Sequence, residues 1–376
     1  MSFSEEIKAY IEANREEALS LLLRLARIPA PTGQESARAE FCRAWLAQHG
    51  AENVHIDAAG NVLLPLNCEG NGPVAVFAAH SDVVFPDTDA LPLRREDGKI
   101  YCPGIGDNSA NIVALLMAAR FVAERGLRPK RGGVLFAVNS GEEGLGNLRG
   151  TRAIMEKYAG RVEEFVSFDD GTLRVIDRCV GSRRYRVISR TAGGHSFTAF
   201  GAKNAIAVLS SVICDLYAQP VPETGKTTFN VGEIRGGTSV NTIAQRAEML
   251  YEIRAEEREA MDAMERQFFA VLEVHRSVDA ELTVELLGER PCGADAGAPQ
   301  KALAEAAAEA LRRHFGECRG FTDGSTDCNI PLSQAVPSVC LGCVVCGGTH
   351  TREEWALKES LAPGLGVALE MVLRRF

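Results

Sequence analysis

Apolar runs of four to seven residues alternate with amphipathic helical stretches along most of this chain. That alternation constrains the fold more than any other feature, because it is the pattern of a largely parallel sheet with helices on its faces. Helical periodicity covers about 4–27 and 34–49, the second stretch stopped by Gly50, and strand-like runs follow at Val62–Leu66 and Val74–Ala78. A helix from about Ser109 to Glu124, a strand at Gly133–Asn139, a helix near 151–158 and a strand at Phe165–Phe168 continue the alternation. After Gly181 the order changes to strand, helix, strand, strand, helix, strand, ending near Leu287. This β-α-β-β-α-β order is that of a self-contained, ferredoxin-like domain of the split-βαβ type. A segment rich in Gly, Pro, Ala and Asp, Gly288–Pro299, reads as a linker, and the α/β style then returns with an Ala-rich helix at 300–315 and a closing helix at 364–376. The expected architecture is therefore an α/β domain with a mixed, largely parallel sheet, formed by 1–181 and 291–376 and interrupted by a lid domain at 182–290.

Charge narrows the partners. Lys plus Arg number 41 against 50 Asp plus Glu, a net charge of -9, the wrong sign for a nucleic-acid backbone as main partner. No apolar run approaches the roughly 18 residues that span a bilayer, and no cationic segment precedes an apolar stretch at the start, so neither a membrane nor a signal peptide is expected. A cytoplasmic protein is the resulting expectation. Eleven cysteines, an odd number and mostly isolated, read as reduced apolar side chains. Cys340, Cys343 and Cys346 have C-x-x-C spacing, but their setting, Val339 to Cys346, reads as a buried strand rather than a zinc knot.

Chemistry is concentrated where polar residues follow apolar strands, since the carboxyl ends of strands border the ligand crevice of an α/β sheet. His80 and Asp82 follow one such run, Glu142 and Glu143 a second, Asp169 and Asp170 a third, and Asp107 sits in Gly104–Asn108. A fifth place, Gly347-Gly348-Thr349-His350, follows the cysteine strand. Histidines mixed with carboxylates suit Zn, Co or Mn at an open catalytic site better than a thiolate-closed structural one. In His80-Ser81-Asp82 the carboxylate is placed to orient the imidazole. Gly141 and Gly144 permit the turn needed for Glu142 and Glu143 to face one site. Gly104-Ile105-Gly106 begins like a dinucleotide fingerprint but lacks its third glycine. In His350-Thr351-Arg352-Glu353-Glu354, an H-x-x-E ligand pair competes with a helix capping box formed by Thr351 and Glu354, and the box is preferred.

Taken in order, Ala79-His80-Ser81-Asp82-Val83-Val84, Gly104-Ile105-Gly106-Asp107-Asn108, Asn139-Ser140-Gly141-Glu142-Glu143-Gly144, Phe168-Asp169-Asp170-Gly171, Gly193-Gly194-His195-Ser196 and Gly348-Thr349-His350-Thr351 resemble the M20 family of di-metal peptidases and deacylases. The overall look is nearest the peptidase T-like branch. The resemblance implies that Asp107 bridges two metals, that His80 and Asp169 complete one site, with Asp170 as the alternative to the preferred Asp169, and that Glu143 and His350 complete the other. It further implies Glu142 as general base, Asp82 as partner of His80, His195 as stabiliser of the oxyanion, and Asn241 and Arg254 as holders of the substrate's carboxylate end. Three ligating carboxylates and one hydroxide nearly cancel the charge of two divalent ions. Where many family members have a second Asp and then Lys, this chain has Asn108 and Ser109. Within the family the peptide bond at this position is typically cis.

The implied enzyme hydrolyses an amide by metal-activated water, with two divalent ions per chain, zinc first and cobalt or manganese as alternatives. Small peptides cleaved from an end are the leading substrate. An N-acyl-amino-acid deacylase, of the acetylornithine deacetylase or succinyl-diaminopimelate desuccinylase kind, is the alternative, and a metal-binding homologue without catalysis is a second. A homodimer formed through the lid is also implied by the resemblance.

Overall fold

A computed structural model describes residues 3–376, and they form two compact units, one running up to Cys179 and resuming from Ala294 to Phe376, the other spanning Val180–Gly293. The first unit is built on an eight-stranded sheet in the order His55–Ile56, Val62–Leu66, Gly133–Asn139, Val74–His80, Val162–Phe168, Ser338–Leu341, Val175–Cys179 and Phe321–Gly324. Its four middle strands, from Gly133–Asn139 to Ser338–Leu341, are mutually parallel.

Those middle strands are almost entirely buried, which is why they read as continuous apolar runs rather than as an alternation. Ala75, Phe77 and Ala79 pack into the larger core with the helices Arg15–Leu25, Asn111–Glu124, Gly297–Phe315 and Leu361–Leu373. Val74, Val76 and Ala78 face the other way, onto a core shared with the helices Arg149–Lys157 and Asn329–Ser333. Phe77 lies between Phe136 and Phe168, with ring centroids 6.1 and 6.4 Å away. Burying such a side chain contributes about 2–3 kcal/mol, and these three rings lock the register of the strands that end at the polar residues. In that register His80 lies opposite Asn139, and Phe168 opposite Leu341.

The second unit has a four-stranded antiparallel sheet in the order Thr227–Gly236, Arg246–Ala255, Gly181–Thr191 and Ala280–Arg290. The helices Ala205–Tyr217 and Arg258–His275 share its core. Along Arg246–Ala255 the residues Ala247, Met249, Tyr251, Ile253 and Ala255 are buried while those between them are not, the period of a sheet covered on one face. Asn204 caps the first helix, its side-chain oxygen accepting the N–H groups of Ile206 and Ala207 at 2.9 and 3.4 Å.

Several local expectations give way. The helical stretch at 4–27 is two helices, Phe3–Ala13 and Arg15–Leu25, separated at Asn14, whose side chain turns back onto the Tyr10 carbonyl. The segment 288–299 is shorter as a linker than expected, because the strand continues to Arg290 and the next helix starts at Gly297. The cysteine run is divided: Ser338–Leu341 belongs to the large sheet, whereas Cys346–Gly347 joins a separate four-stranded sheet with Trp355–Leu357, Lys99–Tyr101 and Arg94–Glu96. None of the eleven cysteines, all of them among the described residues, is in a disulfide. The capping box does not form. Thr351 closes a turn, its hydroxyl donating to the Gly348 carbonyl at 2.6 Å, and the chain passes straight into the Trp355–Leu357 strand because the Glu354 carboxylate is engaged elsewhere.

Candidate metal centre

Parallel strands deliver their following residues to one edge of the sheet, and this edge gathers the polar residues of the first unit. His80 ends its strand, Asp82 follows two residues on, Glu142 and Glu143 follow Asn139, and Asp169 follows Phe168. Asp107 arrives from an irregular turn, Ile105–Ala110, and the Asp107–Asn108 peptide bond is cis. His350 comes from the second sequence segment of the unit, in a left-handed conformation at φ 64°.

The two oxygens of Asp107 face different imidazoles. Oδ1 lies 3.0 Å from His80 Nε2 and Oδ2 lies 3.2 Å from His350 Nε2. On the first side Asp169 Oδ1 lies 3.7 Å from the same His80 nitrogen; on the second, Glu143 Oε1 lies 3.2 Å from the same His350 nitrogen. Two triads result, His80–Asp107–Asp169 and Asp107–Glu143–His350, and in each the ligand atoms lie within 4.8 Å of one another. His80, Glu142 and Glu143 form a third group of the same compactness. Asp170 stays outside, turned away by a positive φ and engaged with Thr172. Glu353 is also outside, exposed and paired with Arg94 at 2.5 Å, so the H-x-x-E alternative has no geometric basis.

Cations fit this donor set. His80 Nε2 and Asp107 Oδ1 are buried and face each other without a hydrogen bond, an arrangement that costs free energy unless something positive and coordinating lies between such atoms. Nitrogen and oxygen donors without sulfur suit divalent first-row ions.

Asp82, fully buried, fixes the arrangement from behind. Its Oδ1 accepts the N–H of Glu142 and its Oδ2 that of Glu143, each at 2.9 Å, and Oδ2 also accepts the Thr32 hydroxyl at 2.9 Å. One carboxylate thus ties the Glu142-Glu143 turn to the His80 strand end. Gly141 and Gly144 flank that turn at φ 67° and 52°, a region open to glycine at little cost. His80 Nδ1 lies 3.2 Å from the Asp82 carbonyl and 3.6 Å from its carboxylate, so the closer oxygen for orienting the imidazole is the main-chain one.

Charge in this cluster is strongly coupled. Burial opposes the His80 imidazolium, yet Asp107, Asp169 and Asp82 outweigh it and hold its pKa well above the usual value. Asp107 and Glu143 raise His350 to about 10. Burial works against the Asp107 carboxylate, but the two histidines hold its pKa far below the ordinary range. Burial, with the nearness of Asp107, pushes Glu143 upward. Carboxylates and imidazoles that shift one another in this way form a compact electrostatic unit of the kind found at functional sites.

Three supporting residues were not anticipated from sequence. Thr32 comes from a loop with no chemical signature. Arg38, fully buried in the helix Ser36–Gln48, donates to the Ile28 carbonyl and, at 3.0 Å, to the carbonyl of Ser81 between His80 and Asp82. Glu354, also fully buried, accepts main-chain N–H groups of the Asp107 turn. A Glu directly ahead of the apolar run Trp355-Ala356-Leu357 is the only sequence signal for it.

His195, Asn241 and Arg254 belong to the second unit. The pair Gly194–His195 bonds antiparallel with Thr242–Ile243, and Ser196 N–H donates to the Asn241 carbonyl at 3.0 Å, so His195 and Asn241 are neighbours. Arg254 lies eight residues beyond Arg246 along its strand, roughly 26 Å from that end at the usual rise. It pairs with Glu252 at 2.7 Å. Gly237 N–H donates to the Arg246 carbonyl at 3.1 Å, so the turn leading to Asn241 stands at the Arg246 end and, within this unit, Asn241 and Arg254 do not form one clamp.

The family model of peptidase family M20/M25/M40 matches residues 76–374. A succinyl-diaminopimelate desuccinylase of Bordetella parapertussis is 28% identical over 313 residues, 77% of this chain and 80% of that protein. One of Burkholderia multivorans is 27% identical over 253 residues, 61% of this chain, and the match spans 64% of that enzyme's own length, just under two thirds. Among solved structures, a tripeptidase from Staphylococcus aureus superposes with a TM-score of 0.76 at 23% identity, covering 96% of this chain and 98% of that one.

Proposed function

The chain belongs to peptidase family M20/M25/M40, and from that premise we propose that it is a di-metal exopeptidase cleaving small peptides, with Glu142 as general base. The observation that carries the di-metal part of this reading is the division of the Asp107 carboxylate, one oxygen toward His80 and the other toward His350. A carboxylate so placed would help hold two cations, with His80 and Asp169 on one side and Glu143 and His350 on the other. Bound there, two divalent cations would supply Lewis acidity for the substrate carbonyl and would make water acidic near neutral pH. Glu142 takes the proton of the attacking water as the new C–O bond forms, then gives it to the amine nitrogen, whereupon the C–N bond breaks and the amine leaves. Its near-complete burial, at 5% exposure, and the anchoring of its N–H by Asp82 keep that carboxylate in place.

We assign the oxyanion contact to His195 and the substrate's carboxylate to Asn241 and Arg254, each from a different protomer of the proposed homodimer, since within one chain the two do not form one clamp. Arg254 already holds Glu252, so substrate binding there exchanges one carboxylate for another. Zinc is the proposed metal, on the strength of the nitrogen and oxygen donors. Eleven cysteines without a disulfide among them, eight of them buried, favour a reducing, cytoplasmic setting. Assembly as a homodimer through the second unit is supported by Ile206, Tyr217 and Ile234, large apolar side chains exposed on the helix Ala205–Tyr217 and on the edge strand Thr227–Gly236. Among the described residues no helix is long and apolar enough to cross a membrane.

A second reading, removal of a succinyl or other acyl group from an amino acid, is favoured by the curated relatives, which are desuccinylases. The two separate in a hydrolysis panel of tripeptides, dipeptides and N-acetyl or N-succinyl amino acids with metal-reconstituted protein. Cleavage confined to peptides with a free amino terminus supports the exopeptidase. Cleavage of N-succinyl amino acids alone replaces it with the deacylase, and inactivity on every amide refutes both.

A further inference from the structure

Glu354 has no place in the hydrolytic chemistry, yet it is a fully buried carboxylate with an unusual set of partners. Its Oε1 accepts the N–H of Gly106 at 2.8 Å and of Asp107 at 2.9 Å, and its Oε2 accepts that of Gly104 at 2.9 Å. Three of the four main-chain N–H groups between Gly104 and Asp107 therefore converge on one side chain. Gly106 makes this approach possible: a Cβ there would stand 2.5 Å from Cys346 Cβ and 3.3 Å from Glu354 Oε1. The main chain around Glu354 is bonded to the same stretch. Cys102 N–H donates to the Glu354 carbonyl at 3.1 Å, and Trp355–Leu357 pairs antiparallel with Lys99–Tyr101.

Four residues before Glu354, His350 meets Asp107 Oδ2. One short segment thus holds Asp107 at two points, at its side chain through an imidazole and at its main chain through a carboxylate. A bridging carboxylate has to present its two oxygens to two different ligand sets at once, so a small rotation of the turn that carries it spoils both. Hydrogen bonds from N–H groups to a buried carboxylate are among the stronger ones in a protein, and a glutamate is long enough to reach three donors of one turn. We infer that Glu354 is a positioning residue for the metal bridge, fixing the main chain of the Asp107 turn so that Asp107 can serve both cations.

The inference rests on the two-metal reading above, and cobalt titration of the metal-free protein tests the two separately. Cobalt(II) reports its own coordination by visible absorption, so binding is read without substrate. Wild-type protein is expected to take up two equivalents. Glu354→Gln retains the shape of the side chain but turns an NH2 toward at least one N–H donor. Its affinity for cobalt should fall about 10–100-fold, the usual consequence of removing a ligand's support, with a changed absorption envelope and an unchanged far-ultraviolet circular dichroism spectrum. Glu353→Gln, next door but exposed and paired with Arg94, should bind as wild type does. If Glu354→Gln does not fold, Glu354→Asp, one methylene too short to reach the turn, carries the same expectation. A variant that folds and binds two cobalt ions with wild-type affinity and spectrum overturns the role of Glu354, even if its melting temperature drops. Wild-type protein that binds no cobalt overturns the metal centre itself.

Discussion

Asp82→Asn tests whether one buried carboxylate organises the base and the ligands together. The native side chain accepts the N–H groups of Glu142 and Glu143 on separate oxygens, both at 2.9 Å, and the Thr32 hydroxyl on the second. An asparagine of the same shape must aim its NH2 at one of those two N–H groups, whichever way the amide is turned. One charge-assisted bond is then lost, about 1.5–3 kcal/mol, and a buried donor is left unsatisfied, about 1–3 kcal/mol more. Thr32 can rotate and accept instead, so it does not add to the loss. A destabilisation of about 3 kcal/mol or more follows for the metal-free protein, read as a lower midpoint in denaturant unfolding. The displaced turn carries Glu142 and Glu143, so turnover should fall about 10–100-fold, with KM changed much less than kcat. The sign of the pH dependence can also be stated. The Asp82 pKa is held below its ordinary 3.8 in the fold despite burial, by His80 and by the two N–H donors. Its contribution is therefore present above about pH 4 and lost as pH falls further, and the variant should lack that part of the acid sensitivity. Asp82→Asn that unfolds at the wild-type midpoint and turns over at the wild-type rate would refute this account of the turn.

Glu142→Gln should keep two metals per chain by elemental analysis while hydrolysis falls about 10²–10⁴-fold, the usual contribution of a general base; an active variant would reassign the base. For His350, Asp107 and Glu143 hold the metal-free imidazole protonated up to about pH 10. Its pairing then stabilises the metal-free fold fully below the unfolded value near 6.5 and less and less as pH rises through 10. Metal uptake must expel that proton, so affinity should increase with pH across the same window and calorimetry in buffers of different ionisation enthalpy should detect proton release. His350→Ala should bind one metal fewer with its fold intact and lose that share of the proton release; unchanged metal content would remove His350 from the site.

What could be read from sequence depended on whether a residue's environment is local. Val74–His80 and Gly133–Asn139 are buried on both faces, and a continuous apolar run states that directly. The polar residues that end those runs were legible for the same reason, since only a strand end explains His80 or the Glu142-Glu143 pair beside so much apolar chain. Arg94–Glu96 was missed because all three residues are exposed and polar, and its strand character comes only from pairing with Lys99–Tyr101. Glu354 was misread because Thr351 and Glu354 satisfy the local rule for a helix start. No nearby residue reveals that three N–H groups almost 250 positions earlier lack an acceptor. Arg38 was equally hidden: a charged residue on an amphipathic helix ordinarily faces water, whereas this one answers carbonyls at Ile28 and Ser81.

The interruption of the first unit by residues 180–293 bears on how the centre is completed. The strand Ser338–Leu341 lies between Val162–Phe168 and Val175–Cys179, so the chain before the interruption leaves a gap in its own sheet. Its carboxyl-edge residues, His80, Asp82, Glu142, Glu143 and Asp169, are all encoded before that gap is filled. His350 and Glu354 are encoded after it, and they hold Asp107 from opposite ends. Without that later segment Asp107 would lack both the imidazole facing its second oxygen and the acceptor for its turn. Placing both restraints on one later segment makes the geometry around Asp107 depend on both stretches of the first unit.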